Sequence, residues 1–448
     1  MKQVVFAFLV LLSWFMPTQV MAASVKVEEI TSPGGIKAWL VRDDKLPLIA
    51  MHFSFRGGVE QDPTDKQGLA ELTAALLTQG AGSYNSESFQ QQLADQSIQL
   101  EFNAGRDAIT GAIKTLSATR DAAFKLLNLA LTQPRFDLEA LERARSQQLT
   151  AMKFELGDPD WQARHALFAA MFGDHPYGMR HFGTIATLNG ITRNDIKDYA
   201  THVLARDNLF IGVAGNITPE DLAKILDDVF GALPAQAKTS PIADFVWPTD
   251  KTQILVPREG TQTGILFTAP APSRDDPDWY AAQIVNYSLG GGGFSSRLMR
   301  EVRDKEGLTY GISTQLAAMD HAAMIMGQAA TDNAKAGAAK LLLTRVWRGV
   351  YRNGITEDEV AVAKDYLTGA LPLQLTSTGA IAGVLVGMQL QQLGIDYLDR
   401  YKALIQQVKI EDIQRVIQKW FNPDKLMFAV VGMPVGIEPT QTQEQTRD

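Results

Sequence analysis

Along residues 48–55 apolar and other positions alternate, with Ile49, Met51, Phe53 and Phe55 on one side. A period of two predicts a strand with one face in a core. A shorter strand is predicted at 36–41, just before it. The period then lengthens: Pro63, Thr64 and Asp65 form a helix start signal, Leu69, Leu72 and Leu76 recur at helical spacing, and Gly80 closes the segment. Strand-like and helical stretches alternate as far as Leu233. The stretch 234–248 is rich in Pro, Ala, Ser and Thr and shows no sustained period, which reads as a linker.

Beyond the linker the pattern repeats itself. Ile191, Asp195 and Ile196 open a predicted helix, Asp207-Asn208 turns, and a strand runs from Leu209 to its end at Gly215. In the second half Ile410, Asp412 and Ile413 open a helix, Asn422-Pro423-Asp424 turns, and a strand runs from Leu426 to Gly432. Asp195/Asp412, Ile196/Ile413, Leu209/Leu426 and Gly215/Gly432 are all 217 positions apart. A second pair of acidic-started helices, at 137–145 and 356–364, is related by the nearby offset of 219. So long a period excludes short-repeat solenoids and indicates duplication of a whole domain. The expected fold class is therefore α+β, with two duplicated domains, each an antiparallel sheet covered on one side by helices.

At the N-terminus, Lys2 precedes an apolar stretch from Val4 to Met16, then Pro17 and the small pair Ala22-Ala23. This is the order of an export signal. About 13 apolar residues fall short of the ~20 that span a bilayer, so no stable membrane anchor is expected once the leader is removed. The predicted organisation is signal peptide 1–23, first domain 24–233, linker 234–250, second domain 251–438 and polar tail 439–448. The 448 residues contain no cysteine, which excludes disulfides, thiolate metal sites and a lipidated N-terminal Cys. In a Gram-negative cell the expected location is the periplasm. The formal charge of −8 and the lack of a Lys/Arg run oppose binding to nucleic acid.

The chemistry-bearing segment is the glycine run Gly290, Gly291, Gly292 and Gly293, followed by Phe294-Ser295-Ser296-Arg297-Leu298 and by Arg303 and Tyr310 seven positions apart. With no Lys-Ser/Thr after the glycines, this is not a phosphate-binding loop, and no G-x-S-x-G elbow exists. Taken with the duplication, Gln67-Gly68-Leu69-Ala70 and His175-Pro176-Tyr177-Gly178, the segment resembles the second-domain signature of pitrilysin-type (inverzincin) zinc peptidases. Within them the likeness is to the mitochondrial processing peptidase subgroup, and it covers nearly all of the mature chain. The resemblance implies a clamshell, of which this chain would form half.

Catalytic members of that family carry H-x-x-E-H on the first long helix. The matching stretch here is Gly68-Leu69-Ala70-Glu71-Leu72-Thr73-Ala74-Ala75. Glu71 stands at the first ligand position, Ala74 at the base position and Ala75 at the second ligand position. The third family ligand should fall near Thr150–Ala151, where there is no carboxylate. Zinc sites need three or four protein ligands, so no zinc or other cofactor is expected in this chain. None of the six histidines pairs with another at helical i, i+4 spacing beside a carboxylate, which leaves them as structural or surface residues.

The resemblance implies that Arg303 and Tyr310 reach across a chamber to bind substrate backbone beside a partner's zinc. A guanidinium offers fixed donors to a peptide carbonyl, and a phenol can donate to a developing oxyanion. Gly307 between them predicts that the pair spans a helix end. The glycines are expected first as backbone positions needing close approach or unusual dihedrals, and second as substrate contacts. The expected function is that of a zinc-lacking subunit, inactive alone, which positions peptides for a zinc-bearing paralogous partner. The rival is a structural or peptide-binding homodimer of the same fold that cleaves nothing.

Overall fold

A computed structural model describes residues 26–249 and 252–447; the expected signal peptide lies outside the described residues. The first sheet contains β1 (Glu28–Thr31), β2 (Lys37–Arg42), β3 (Leu48–Arg56), β4 (Gln99–Ala104), β5 (Ala108–Leu116) and β6 (Leu209–Gly215) in the order β1-β2-β6-β3-β5-β4. The second contains β7 (Gln253–Pro257), β8 (Gln262–Pro270), β9 (Gly311–Ala318), β10 (Ala323–Asp332), β11 (Met427–Gly432) and β12 (Gln441–Thr442) in the order β12-β7-β11-β8-β10-β9. Five strands of each sheet correspond in order, β2-β6-β3-β5-β4 with β7-β11-β8-β10-β9; the edge strands differ, β1 pairing antiparallel with β2 and β12 parallel with β7. The polar tail thus supplies β12, an edge strand, and Thr446 is held by Gln162 through two hydrogen bonds of 3.0 and 2.8 Å.

The duplication extends to single contacts. Phe53 on β3 stands directly opposite Gly111 on β5, and Phe267 on β8 directly opposite Gly327 on β10. A Cβ on either glycine would come within 2.2 Å of the facing ring. Each aromatic thus lies over a neighbouring strand's bare backbone, which only glycine allows. Gly215 and Gly432 end equivalent strands at φ +128° and +136°.

Two features add to the predicted sheets. Each contains a parallel pair, β2 with β6 and β7 with β11, and β12 also runs parallel to β7. The first two pairs join strands separated by most of a half, and long crossovers permit parallel pairing where a hairpin does not. The other feature is an exchange of helices. The helix Pro159–Phe172, from the first half, packs on β11, β8 and β7 of the second sheet. The helix Thr378–Leu390, from the second half, packs on β6, β3 and β2 of the first. Leu167, Phe168, Met171 and Phe172 are buried against Leu266, Met324, Ala429 and Val431. At ~1.5–3 kcal/mol for each large apolar side chain, this burial dominates the union of the halves. Helices of its own half cover the opposite face of each sheet, so both faces are packed.

The segment His175–Gly178 fastens the same junction. The Tyr177 hydroxyl donates to Asp107 and accepts the N–H of His321 at 3.0 Å. Arg106 donates to the Tyr177 carbonyl at 2.7 Å, and His175 Nε2 meets the Ala243 carbonyl at 2.8 Å. Tyr177 is fully buried, and these bonds join the first half, the linker and the β9–β10 hairpin.

Candidate functional site

The degenerate motif lies on the helix Leu69–Leu76. Its start differs from the predicted one: Thr64–Lys66 is a separate 3-10 turn, and the helix begins only after Gly68 at φ +91°. The reason is Asp62, a buried carboxylate that accepts the N–H groups of Gly68, Leu69 and Ala70 at 2.8, 3.1 and 2.9 Å and so caps the helix from outside the predicted signal. Gly68 has no room for a side chain, since a Cβ would lie 2.7 Å from both Phe182 O and Gln148 Nε2. Gln148 donates to Gly68 O and Phe182 O, tying the helix Leu138–Gly157 and the loop around residue 182 to this helix start.

On this helix Glu71 is half-buried, Ala74 is buried in the core and Ala75 is exposed. Glu71 is already engaged, its Oε2 lying 3.2 Å from His181 Nε2. Thr150, near the expected third position, turns its hydroxyl back to Ser146 O at 2.8 Å. Further along the same helix, burial raises the Glu155 carboxyl above its usual range, and the neighbouring charges of His181 and Arg164 oppose the rise. The donor set does not fit the family's zinc: one carboxylate bonded to an imidazole and two methyl groups stand where two imidazoles and a base are required. Among the described residues no group of three or more His, Asp or Glu side chains is arranged to hold a metal ion. Sequence reasoning missed the Glu71–His181 pair because 110 residues separate the partners and no local spacing relates them.

In the second half the structure brings Arg303, Tyr310 and Gly293 together. Arg303 lies in the π-helical turn Met299–Lys305, which ends at Gly307, φ +59°, before the chain enters β9. The predicted span across a helix end is thus what the chain forms. Arg303 Nε donates to the Tyr310 carbonyl at 3.1 Å, and its guanidinium lies 4.9 Å from the Phe294 ring centroid. The Tyr310 ring is 66% exposed, and its hydroxyl has only a long 3.3 Å contact to Asp332. Tyr310, Phe294 and Gly293 line a groove of about 480 Å3 against the second sheet.

The four glycines divide into two kinds. A Cβ on Gly290, Gly291 or Gly292 would lie 2.5 Å from Thr314 Oγ1, 2.7 Å from Asn286 Nδ2 or 2.8 Å from Tyr287 O, so packing requires these three. Gly293, at φ +57°, has open space around it and is the one on the groove wall. Arg297 also serves the fold: it forms a two-pronged pair with Glu359, which Arg300 joins at 3.3 Å. Of the histidines, His175 and His321 belong to the junction, His52 lies beneath Gly379 and Gly383 of the exchanged helix, and His165 stacks on Trp161 at 4.9 Å.

Residues 190–367 match the family described as Peptidase M16 inactive domain, a stretch running from the end of the first half through most of the second. The crystal structure of a peptidase M16 inactive domain from Pseudomonas fluorescens superposes with a TM-score of 0.85 at 28% identity, covering 92% of this chain and 99% of that one. Over residues 190–367 by sequence, and over nearly its whole length by fold, the chain is similar to M16, pitrilysin-type peptidases. A Helicobacter pylori relative named non-peptidase homolog YmxG is 25% identical over 386 residues, 86% of this chain and 89% of that protein. A Mycobacterium leprae relative named as an uncharacterized zinc protease is 22% identical over 413 residues, 90% and 91% of the two chains. At the positions of the family's zinc motif this chain has Glu71, Ala74 and Ala75.

Proposed function

We propose that this chain is the zinc-lacking, exported partner of a zinc-bearing M16 subunit in the periplasm, and that its second half presents peptides for cleavage. One observation carries the reading: Tyr310 and Gly293 line an open groove with Arg303 bonded to Tyr310 and stacked on Phe294 at its rim, while Glu71 in the first half is closed against His181. Arg303 would hold a peptide carbonyl, and Tyr310, free of any short hydrogen bond through its hydroxyl, would donate to the oxygen that gains charge in the transition state. Metal and base would come from the partner, so the isolated chain carries no zinc and does not hydrolyse peptides.

Co-expression with a zinc-bearing relative from the same host tests this reading. The pair should hydrolyse unfolded peptides while this chain alone does not. Tyr310→Phe should lower kcat by about 10²-fold, the scale of losing one oxyanion donor, and Arg303→Ala should lower kcat/KM. Unchanged rates in both variants, or stoichiometric zinc with hydrolysis by the chain alone, would overturn the reading. A pair that assembles but cleaves nothing would favour the structural rival.

A further inference from the structure

The floor of the groove is a set of rows across three strands. Gly264, Ala330 and Gly311 stand directly opposite one another on β8, β10 and β9. The next row on the same face is Leu266, Gln328 and Ser313, and the third is Thr268, Met326 and Gln315. Successive rows are two residues apart, roughly 6.7 Å along the strands. The exchanged helix Pro159–Phe172 forms the wall along β8 and leaves this part of the face open.

Each row has its own chemistry. The first is a trench of minimal side chains, where a Cβ on Gly311 would meet nothing within 4 Å; the exposed rings of Phe294 and Tyr310 bound it at the β9 end, and the Asp160 carboxylate, 3.6 Å from where a Cβ on Gly264 would stand, bounds it at the β8 end. The third opens into a second cavity of about 390 Å3 lined by Phe168, Met319 and Met326. Between them, Arg164 lines both cavities, as do Leu266, Gln328 and Ser313. Among the described residues Arg164 has no hydrogen bond or ion pair, although its charge is felt at Glu155.

We infer that the groove takes an extended peptide whose side chains, at every second position, are apolar, acidic and apolar. This rests on the reading of the chain as a peptide-presenting subunit and specifies which peptides it presents. An extended peptide repeats its same-face side chains at the spacing of the rows, so three alternate residues fall on three rows. The middle carboxylate meets Arg164, whose planar fork can hold both oxygens. One apolar side chain fills the glycine trench and the other enters the Phe168/Met319/Met326 cavity, where methionines adapt to varied shapes. The pattern reads the same in either direction, so it does not depend on the polarity of the bound chain. A C-terminal carboxylate at Arg164 would leave one cavity empty, which favours an internal Asp or Glu.

The test is fluorescence anisotropy with the purified mature chain and the fluorescein-labelled peptide Gly-Ser-Phe-Ser-Glu-Ser-Leu-Ser-Gly. Replacing the peptide's Glu by Lys, or its Phe and Leu by Ser, should weaken binding at least about tenfold, the scale of one lost charged or apolar contact. On the protein, Arg164→Glu at an exposed position should reverse the preference between the Glu and Lys peptides, and Arg164→Gln should abolish it. Gly311→Val should weaken the parent peptide while leaving the Ser-substituted one unchanged. Equal affinity for the Glu and Lys peptides, or a preference unaltered by Arg164→Glu, overturns the inference. If all peptides bind alike and Tyr310→Phe or Arg303→Ala weakens them, the pattern falls and the presenting role stands. If none binds, both fall.

Discussion

Protonation of His165 should weaken the union of the two halves. This residue rides on the exchanged helix Pro159–Phe172 with its ring stacked at 15° on Trp161. Burial, assisted by the positive charge of Arg180, lowers its pKa to about 4. An unfolded histidine titrates near ~6.5, so between those values the unfolded chain binds the proton and the folded chain does not. The stability contribution is therefore complete above about pH 6.5 and is lost as the pH falls towards 4. By pH 5 the loss amounts to about 2 kcal/mol. His52, beneath the other exchanged helix, is shifted in the same direction by burial, with Glu101 opposing. Because each half covers the other's sheet, unfolding should be a single transition. The assay is urea denaturation of the wild type and His165→Phe, which keeps the aromatic stack, at pH 7.5 and pH 5. The wild type should lose about 2 kcal/mol more than the variant between the two pH values. The raised acids Glu60, Asp62, Glu155 and Asp320 act in the opposite direction, so either protein can gain stability on balance in acid; they are present in both proteins, so the difference between the two isolates His165. Equal losses in the two proteins would refute the reasoning.

Other outcomes follow from particular contacts. Gly327→Ala should cost about 1–3 kcal/mol by driving a methyl into the Phe267 ring, and Gly111→Ala should cost a similar amount against Phe53, both read as shifts of the urea midpoint. Asp278→Asn should cost about 1–3 kcal/mol in the same assay, because that buried carboxylate accepts from Arg415, Lys419 and Trp420. Tyr310→Phe removes only an exposed 3.3 Å contact, so its midpoint should stay within about 0.5 kcal/mol of wild type, whatever its effect on peptide cleavage. Treatment with EDTA should leave Tm unchanged in differential scanning calorimetry, whereas a fall of several degrees would reveal a structural metal.

Most of the fold was legible in the chain. Alternation at 48–55 became β3, the paired offsets located β6 and β11, and the acidic-started helices are Leu138–Gly157 and Glu357–Ala370. The loss of the metal motif was equally legible, because ligands at i and i+4 on one helix are a local pattern. The exchanged helices had a signal that went unread. Residues 378–390 contain no charged side chain and 159–172 carry apolar residues all round, which marks helices buried on more than one side. Such a signal says that a helix is enclosed without saying by which sheet.

The sequence by itself determined that this is a duplicated, cysteine-free chain with Glu71, Ala74 and Ala75 in place of a zinc motif and with an Arg/Tyr pair across a helix end. These are properties of residue identity and short spacing, which local backbone geometry translates directly. Only the tertiary structure decided that Glu71 meets His181, that three of the four glycines serve packing, and that Arg164 of the first half stands over rows built by the second. Those contacts join residues far apart in the chain, and what brings them together is the burial of two exchanged helices, a property of the whole core that no short stretch encodes.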